Sequence, residues 1–171
     1  MGKSPVTESA DELIYLAESD IISFKELLAG IYYPADRKYN IICFHATQAV
    51  EKLLKGFIIS NGKTVERIHD LDILHQAVTE IDVSFAEIKS ECVFLNTFAQ
   101  NIKYSSKITI TKQDIDKIIK SLENVCNFPP IQAMRNSLSK KHNYEIVTEI
   151  TAKPAAKKRR KGDCHRLGRE Q

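Results

Sequence analysis

Hydrophobic positions recur at intervals of three and four residues through most of the chain, which is the period of an amphipathic helix. In "SADELIYLAESDIISFKELL", Leu13, Leu16, Ile21, Phe24 and Leu28 supply an apolar side, and Ser9 followed by Glu12 forms a capping box. This predicts a first helix to about Leu28, broken by Gly30 and then Pro34. The strongest pattern is "KYNIICFHATQAVEKLLKGFIISNGK", where Cys43, Ala46, Val50, Leu53 and Phe57 share one stripe. Glu51 and Lys55 stand as an i, i+4 ion pair expected on the outside of this helix, and Asn61-Gly62 ends it.

Shorter segments follow. Asp70 is placed to cap a third helix that turns Leu71, Leu74 and Val78 inward. "SFAEIKSECVFLNTFAQNIKY" suggests a fourth, with a second capping box from Ser84 to Glu87 and Ile88, Cys92, Leu95, Phe98 and Ile102 buried. Residues 105–110, "SSKITI", read as a connector with brief alternation, and Thr111 to Asp114 caps a fifth helix, "TKQDIDKIIKSLENVCNF". Pro129-Pro130 must interrupt it, because each ring lacks a backbone donor and restricts the residue before it. A sixth helical segment is expected over roughly Ile131 to Ile150. Helices joined by short polar loops, with no strand pattern, predict an all-α, up-and-down antiparallel bundle of about five helices over residues 1–128. A helical extension over 129–152 and a basic tail over 153–171 complete the expected organisation.

Composition is consistent with that picture: 171 residues and 43% hydrophobic content suit one domain with one core. No run of about 18 apolar residues occurs, and the N-terminus "MGKSPVTESADELIYLAESD" is acidic, unlike a secretion signal, so a soluble cytoplasmic protein with no membrane partner is expected. Charge divides the chain. Residues 153–171 carry eight Lys/Arg against two acids, which leaves residues 1–152 at net −3 although the whole chain is +3. The "KKRRKG" block could touch nucleic acid or an acidic surface by charge alone, but it lacks interleaved aromatics and equally suits a disordered solubilising tail. Cys43, Cys92, Cys126 and Cys164 are scattered without C-x-x-C spacing, and the three in helical segments read as small buried hydrophobes, not metal ligands. With no hydrolase triad, phosphate-cradling glycine loop or metal-ligand cluster, no metal and no cofactor is expected.

Three groups of residues carry candidate chemistry. On the second helix His45, Gln48, Lys52 and Lys55 fall within an arc of about 80°. This polar ridge could hold a phosphate or an acidic partner, or it could be simply the wet side of an amphipathic helix. Lys103 and Tyr104 offer a cation beside a stacking face, although a tyrosine closing a bundle end would look the same. Arg135 and His142, in "RNSLSKKH", are seven residues apart and would project from one face of a continuous helix, about 10 Å apart along its axis. A neutral histidine could take a 2′-hydroxyl proton while the guanidinium stabilised charge on the phosphorane, giving RNA cleavage without metal. The alternative is packing, since His142 shares its stripe with Ile131, Met134, Leu138 and Ile146.

The ordered series Gln48, Glu51, Lys52, Lys55, then Gly62, then His69-Asp70-Leu71 resembles the HEPN domain family, in the branch associated with small nucleotidyltransferases. The resemblance covers about residues 8–128, with Lys103-Tyr104 standing where that branch has an Arg-Tyr step. It implies a helical bundle that often dimerises, and one of three roles. These are partner subunit of a minimal nucleotidyltransferase, often within a toxin-antitoxin pair; metal-independent ribonuclease; or noncatalytic nucleotide-binding module. The ribonuclease branch has an R-x4-6-H motif with a polar residue after the arginine and a tyrosine two residues after the histidine, resembled here by Arg135, Asn136, His142 and Tyr144. The leading expectation is the nucleotide-binding or partner role, with the ribonuclease as the alternative.

Overall fold

A computed structural model describes residues 5–30, 35–104 and 109–150, with side chains except at 35–38 and 100–104. Lys103 and Tyr104 end a helix, but their side chains lie outside the described residues, as do Ile102, most of the 105–110 connector, Cys164 and the basic tail. The elements are α1 (Ala10–Ala29), α2 (Ala35–Ser60), α3 (Leu71–Ile81), a 3-10 turn (Val83–Ile88), α4 (Lys89–Tyr104), α5 (Lys112–Asn127) and α6 (Pro129–His142). No strand occurs among the described residues, and the helices pack as an antiparallel bundle.

Local chemistry sets the boundaries. Ser9 Oγ accepts from the Glu12 amide at 3.2 Å while Glu12 Oε2 accepts from the Ser9 amide at 2.7 Å, so the first capping box is complete. Thr111 and Asp114 close the same reciprocal pair at α5. After α2 the chain turns at Gly62, whose φ of +72° favours a residue without a Cβ. The second expected capping box is corrected: Asp82, not Ser84, caps the segment by accepting from the Ser84 amide, and the chain makes a 3-10 turn before α4 begins at Lys89. Pro129 and Pro130 end α5 by holding Phe128 extended, then serve as the first two residues of α6, where a missing N–H costs nothing. The sixth helix is shorter than expected. Asn143 adopts the left-handed conformation (φ 52°, ψ 47°) at the C-terminus of α6, and residues 144–150 leave the helix, which removes Ile146 from the stripe assumed for His142.

The deepest layer lies between α1 and α2, which run antiparallel and make the most extensive helix pair. Their backbones approach closely at Gly56, where a Cβ would fall 2.9 Å from Ile14 Cγ1. Ala17, Ile21 and Phe24 of α1 meet Ala46, Ala49, Val50 and Leu53 of α2 in one core that extends through Leu74, Val78, Cys92 and Leu95 to Ile118, Leu122 and Ile131. Phe85 lies between Phe57 and Phe128, with ring centroids 4.5 and 4.9 Å away. Cys43, Cys92 and Cys126 are buried and free, and burial pushes each thiol up to about 12, which leaves no nucleophilic thiolate among them at neutral pH.

Asp70 joins two helices. Its Oδ1 accepts from the amides of Asp72 and Ile73 at the start of α3 and from Asn96 Nδ2 of α4, while Asn96 Oδ1 accepts from the Leu71 amide. Asp70→Ala should lower stability by about 1–2 kcal/mol through loss of the cap, whereas Asp70→Asn should retain most of it; urea denaturation of the three proteins checks this.

Candidate functional site

The polar ridge of α2 does not face open water. α1 crosses it, and two carboxylates organise it. Asp20 of α1 receives Lys52 Nζ at 2.5 Å on one oxygen and lies 2.8 Å from His45 Nδ1 on the other. Because a carboxylate only accepts, it fixes Nδ1 as the protonated nitrogen of His45. One turn along, Glu51 receives Lys55 Nζ at 2.7 Å and faces His69 Nδ1 at 2.9 Å. Gln48 bridges the two groups: its Nε2 donates to Glu51 at 3.3 Å and its Oε1 accepts from Lys52 at 3.4 Å. The Glu51–Lys55 pair therefore forms as the spacing predicted, but not on the outside. Both side chains are under 8% exposed, because α1 and the loop carrying His69 cover this end of α2.

Beside this network lies a cavity of about 360 Å³ lined by the polar Glu8, Glu51, Lys52, Lys55, Arg67 and His69 and by the apolar Val6, Leu13 and Leu16. The N-terminal segment helps to form it: Val6 N donates to Val65 O at 2.8 Å, and Pro5 and Glu66 form an antiparallel bridge. Four of the expected ridge residues are thus brought together, with different parts. Lys52 and Lys55 line the cavity, while His45 and Gln48 act behind it through Asp20 and Glu51. Sequence reasoning missed Arg67, Asp20 and Glu18. Arg67 sits in a loop without periodicity, and the partners of Glu18 and Asp20 lie on other helices, to which no spacing within α1 points.

Arg135 and His142 lie in a second region with a different character. The Arg135 side chain is 2% exposed, and four of its five N–H groups are taken. Nε and Nη2 donate to the two oxygens of Glu18 at 2.5 and 3.1 Å, Nη1 donates to Cys126 O at 3.1 Å, and Nη2 also donates to Val147 O at 2.9 Å. Burial is the largest single influence and opposes its charge, but the Glu18 hydrogen bonds together with the neighbouring negative charge, Glu18 included, outweigh that cost and raise its pKa above the ordinary arginine value. Glu18 Oε2 accepts in addition from the Val147 amide, so one ion pair fastens residues 144–150 against α1 and α6. His142 projects differently. It is 46% exposed, lies 2.8 Å from Asp11, and lines a cavity of about 370 Å³ with Asp11, Glu12, Tyr15 and Tyr144. Hydrogen bonds from Lys141 and then His142 hold the Asp11 carboxyl below its ordinary range.

Removing one partner of the Arg135–Glu18 pair leaves a buried charge uncompensated. Arg135→Ala should cost about 3–5 kcal/mol of stability, and Glu18→Leu with Arg135→Met should recover much of that loss. Guanidinium denaturation of wild type, single and double variants measures both effects.

No curated protein matches the chain, and no solved structure matches it either. A family model described as "HEPN domain" matches residues 10–132, which takes in α1 through α5 and the start of α6. The ordered helices, the α2 ridge and the His69-Asp70-Leu71 start of α3 fall within that match, and the chain belongs to the HEPN domain family.

Proposed function

We propose that the protein is a noncatalytic nucleotide-binding HEPN module, with the cavity beside α1, α2 and the 65–69 loop as its ligand site. The observation that carries this reading is the convergence of Lys52, Lys55, Arg67 and His69 on one cavity that also has an apolar wall. Cations and N–H donors suit phosphate oxygens, and the faces of Val6, Leu13 and Leu16 suit a base or sugar. The commitment of Arg135 to Glu18 supports a binding role over a phosphate-cleaving one, because a guanidinium with four N–H groups occupied has little left to offer a phosphorane. The finer part of the proposal, a homodimer beside a minimal nucleotidyltransferase in a toxin-antitoxin pair, draws on the resemblance of Gln48, Glu51, Lys52, Lys55, Gly62 and His69-Asp70-Leu71 to that branch of the family. Isothermal titration of the purified chain with adenosine and guanosine 5′-nucleotides should give saturable binding. Arg67→Ala should weaken it by about tenfold, the order of one charge-assisted hydrogen bond. Absence of heat with every nucleotide would refute the reading.

A second reading, a metal-independent ribonuclease, draws on the exposure of His142 and the cavity it shares with Tyr15 and Tyr144. Under that reading purified protein cleaves labelled RNA in EDTA and His142→Ala does not. No cleavage by wild type, or equal cleavage by the variant, would remove His142 from any such chemistry.

A further inference from the structure

The charges around the α1–α2 cavity limit what it can accept. Of its three cations, Lys55 is already held by Glu51 at 2.7 Å and Lys52 by Asp20 at 2.5 Å. Arg67 has no salt bridge or hydrogen bond among the described residues, so it is the cation with least to give up for an incoming anion. Glu8 lines the same cavity. The hydrogen bond from its own backbone amide, with those from Thr7 and the charge of Arg67, holds the Glu8 carboxyl below its ordinary range, so it is ionised at neutral pH. The Val6–Val65 hydrogen bond and the Pro5–Glu66 bridge keep the segments bearing Glu8 and Arg67 side by side. With Asp20 paired to Lys52 and Glu51 to Lys55, the charges that remain at the cavity are Arg67 and Glu8, which leaves no surplus positive charge for a second anion.

We propose that this cavity takes a nucleotide through a single phosphate, and that Glu8 disfavours any second or third phosphate. The inference rests on the nucleotide-binding reading and narrows it to nucleoside monophosphates or a terminal phosphomonoester of RNA. One phosphate meets Arg67, with Lys52 able to turn an N–H group toward it. A further phosphate adds negative charge where no free cation remains and where Glu8 repels it. The volume of about 360 Å³ agrees, lying near the small end of ligand cavities.

The test is calorimetric titration of the full chain with adenosine and guanosine, their 5′-monophosphates, diphosphates and triphosphates, with and without magnesium. Monophosphates should bind about tenfold or more tighter than triphosphates, the order expected for one like-charge contact at a screened surface. Glu8→Gln should narrow that gap by raising triphosphate affinity, and Arg67→Ala should reduce monophosphate binding to the level of the nucleoside. Triphosphates binding as tightly as monophosphates would overturn the single-phosphate inference and leave the nucleotide-binding reading standing. Binding of no nucleotide would remove both. An unchanged gap in Glu8→Gln would overturn the part assigned to Glu8.

Discussion

Charge taken out of water has to be compensated, and that requirement organises both flanks of α1. Glu18 and Asp20 are two residues apart, about 200° around the helix, so they point to different neighbours. Glu18 meets Arg135 of α6, and Asp20 meets His45 and Lys52 of α2. Such buried or half-buried pairs add little net stability over an apolar equivalent, yet removing one partner is expensive, so they strongly specify which surfaces can meet. Apolar contacts such as Ile21 and Phe24 against α2 drive the helices together, and the carboxylates pair with cations on the helices that α1 meets.

This pairing also separates cations that hold the fold from cations that can serve a ligand. Arg135 is surrounded by Glu18 and two backbone carbonyls and ties residues 144–150 to the bundle, a structural task that leaves it little freedom. Lys55 is similarly held beside Glu51, whereas Lys52 remains 20% exposed and His69 56% exposed at the cavity rim. Affinity at such a site depends on the charges left uncompensated after the protein has paired its own, not on the number of basic residues in the motif. A ridge that reads from sequence as four equivalent polar groups thus divides into two that line the cavity and two that brace it.

Helix existence and much of the core were legible in the chain because both follow from short-range periodicity. Leu13, Ile21, Phe24, Val50, Leu53, Leu74, Cys92 and Leu95 all face inward as their spacing required. Caps at Ser9, Asp70 and Thr111 were legible for the same reason, being contacts within a few residues. The misreadings had local causes too. Asp82, two residues earlier, took the capping position by accepting from the Ser84 amide and hydroxyl, and Asn143 could adopt the left-handed conformation that ended α6 early.

What the sequence by itself determined was therefore the set of helices, their apolar faces and the family they belong to, since each depends on residues close together in the chain. Only the tertiary structure decided which charges were buried, which carboxylate met which cation and which loop closed the cavity. Glu18 and Arg135 are 117 residues apart, and Asp20 and Lys52 are 32 apart, so no helical period links them. Electrostatic compensation acts through space, and the space exists only once the helices have packed.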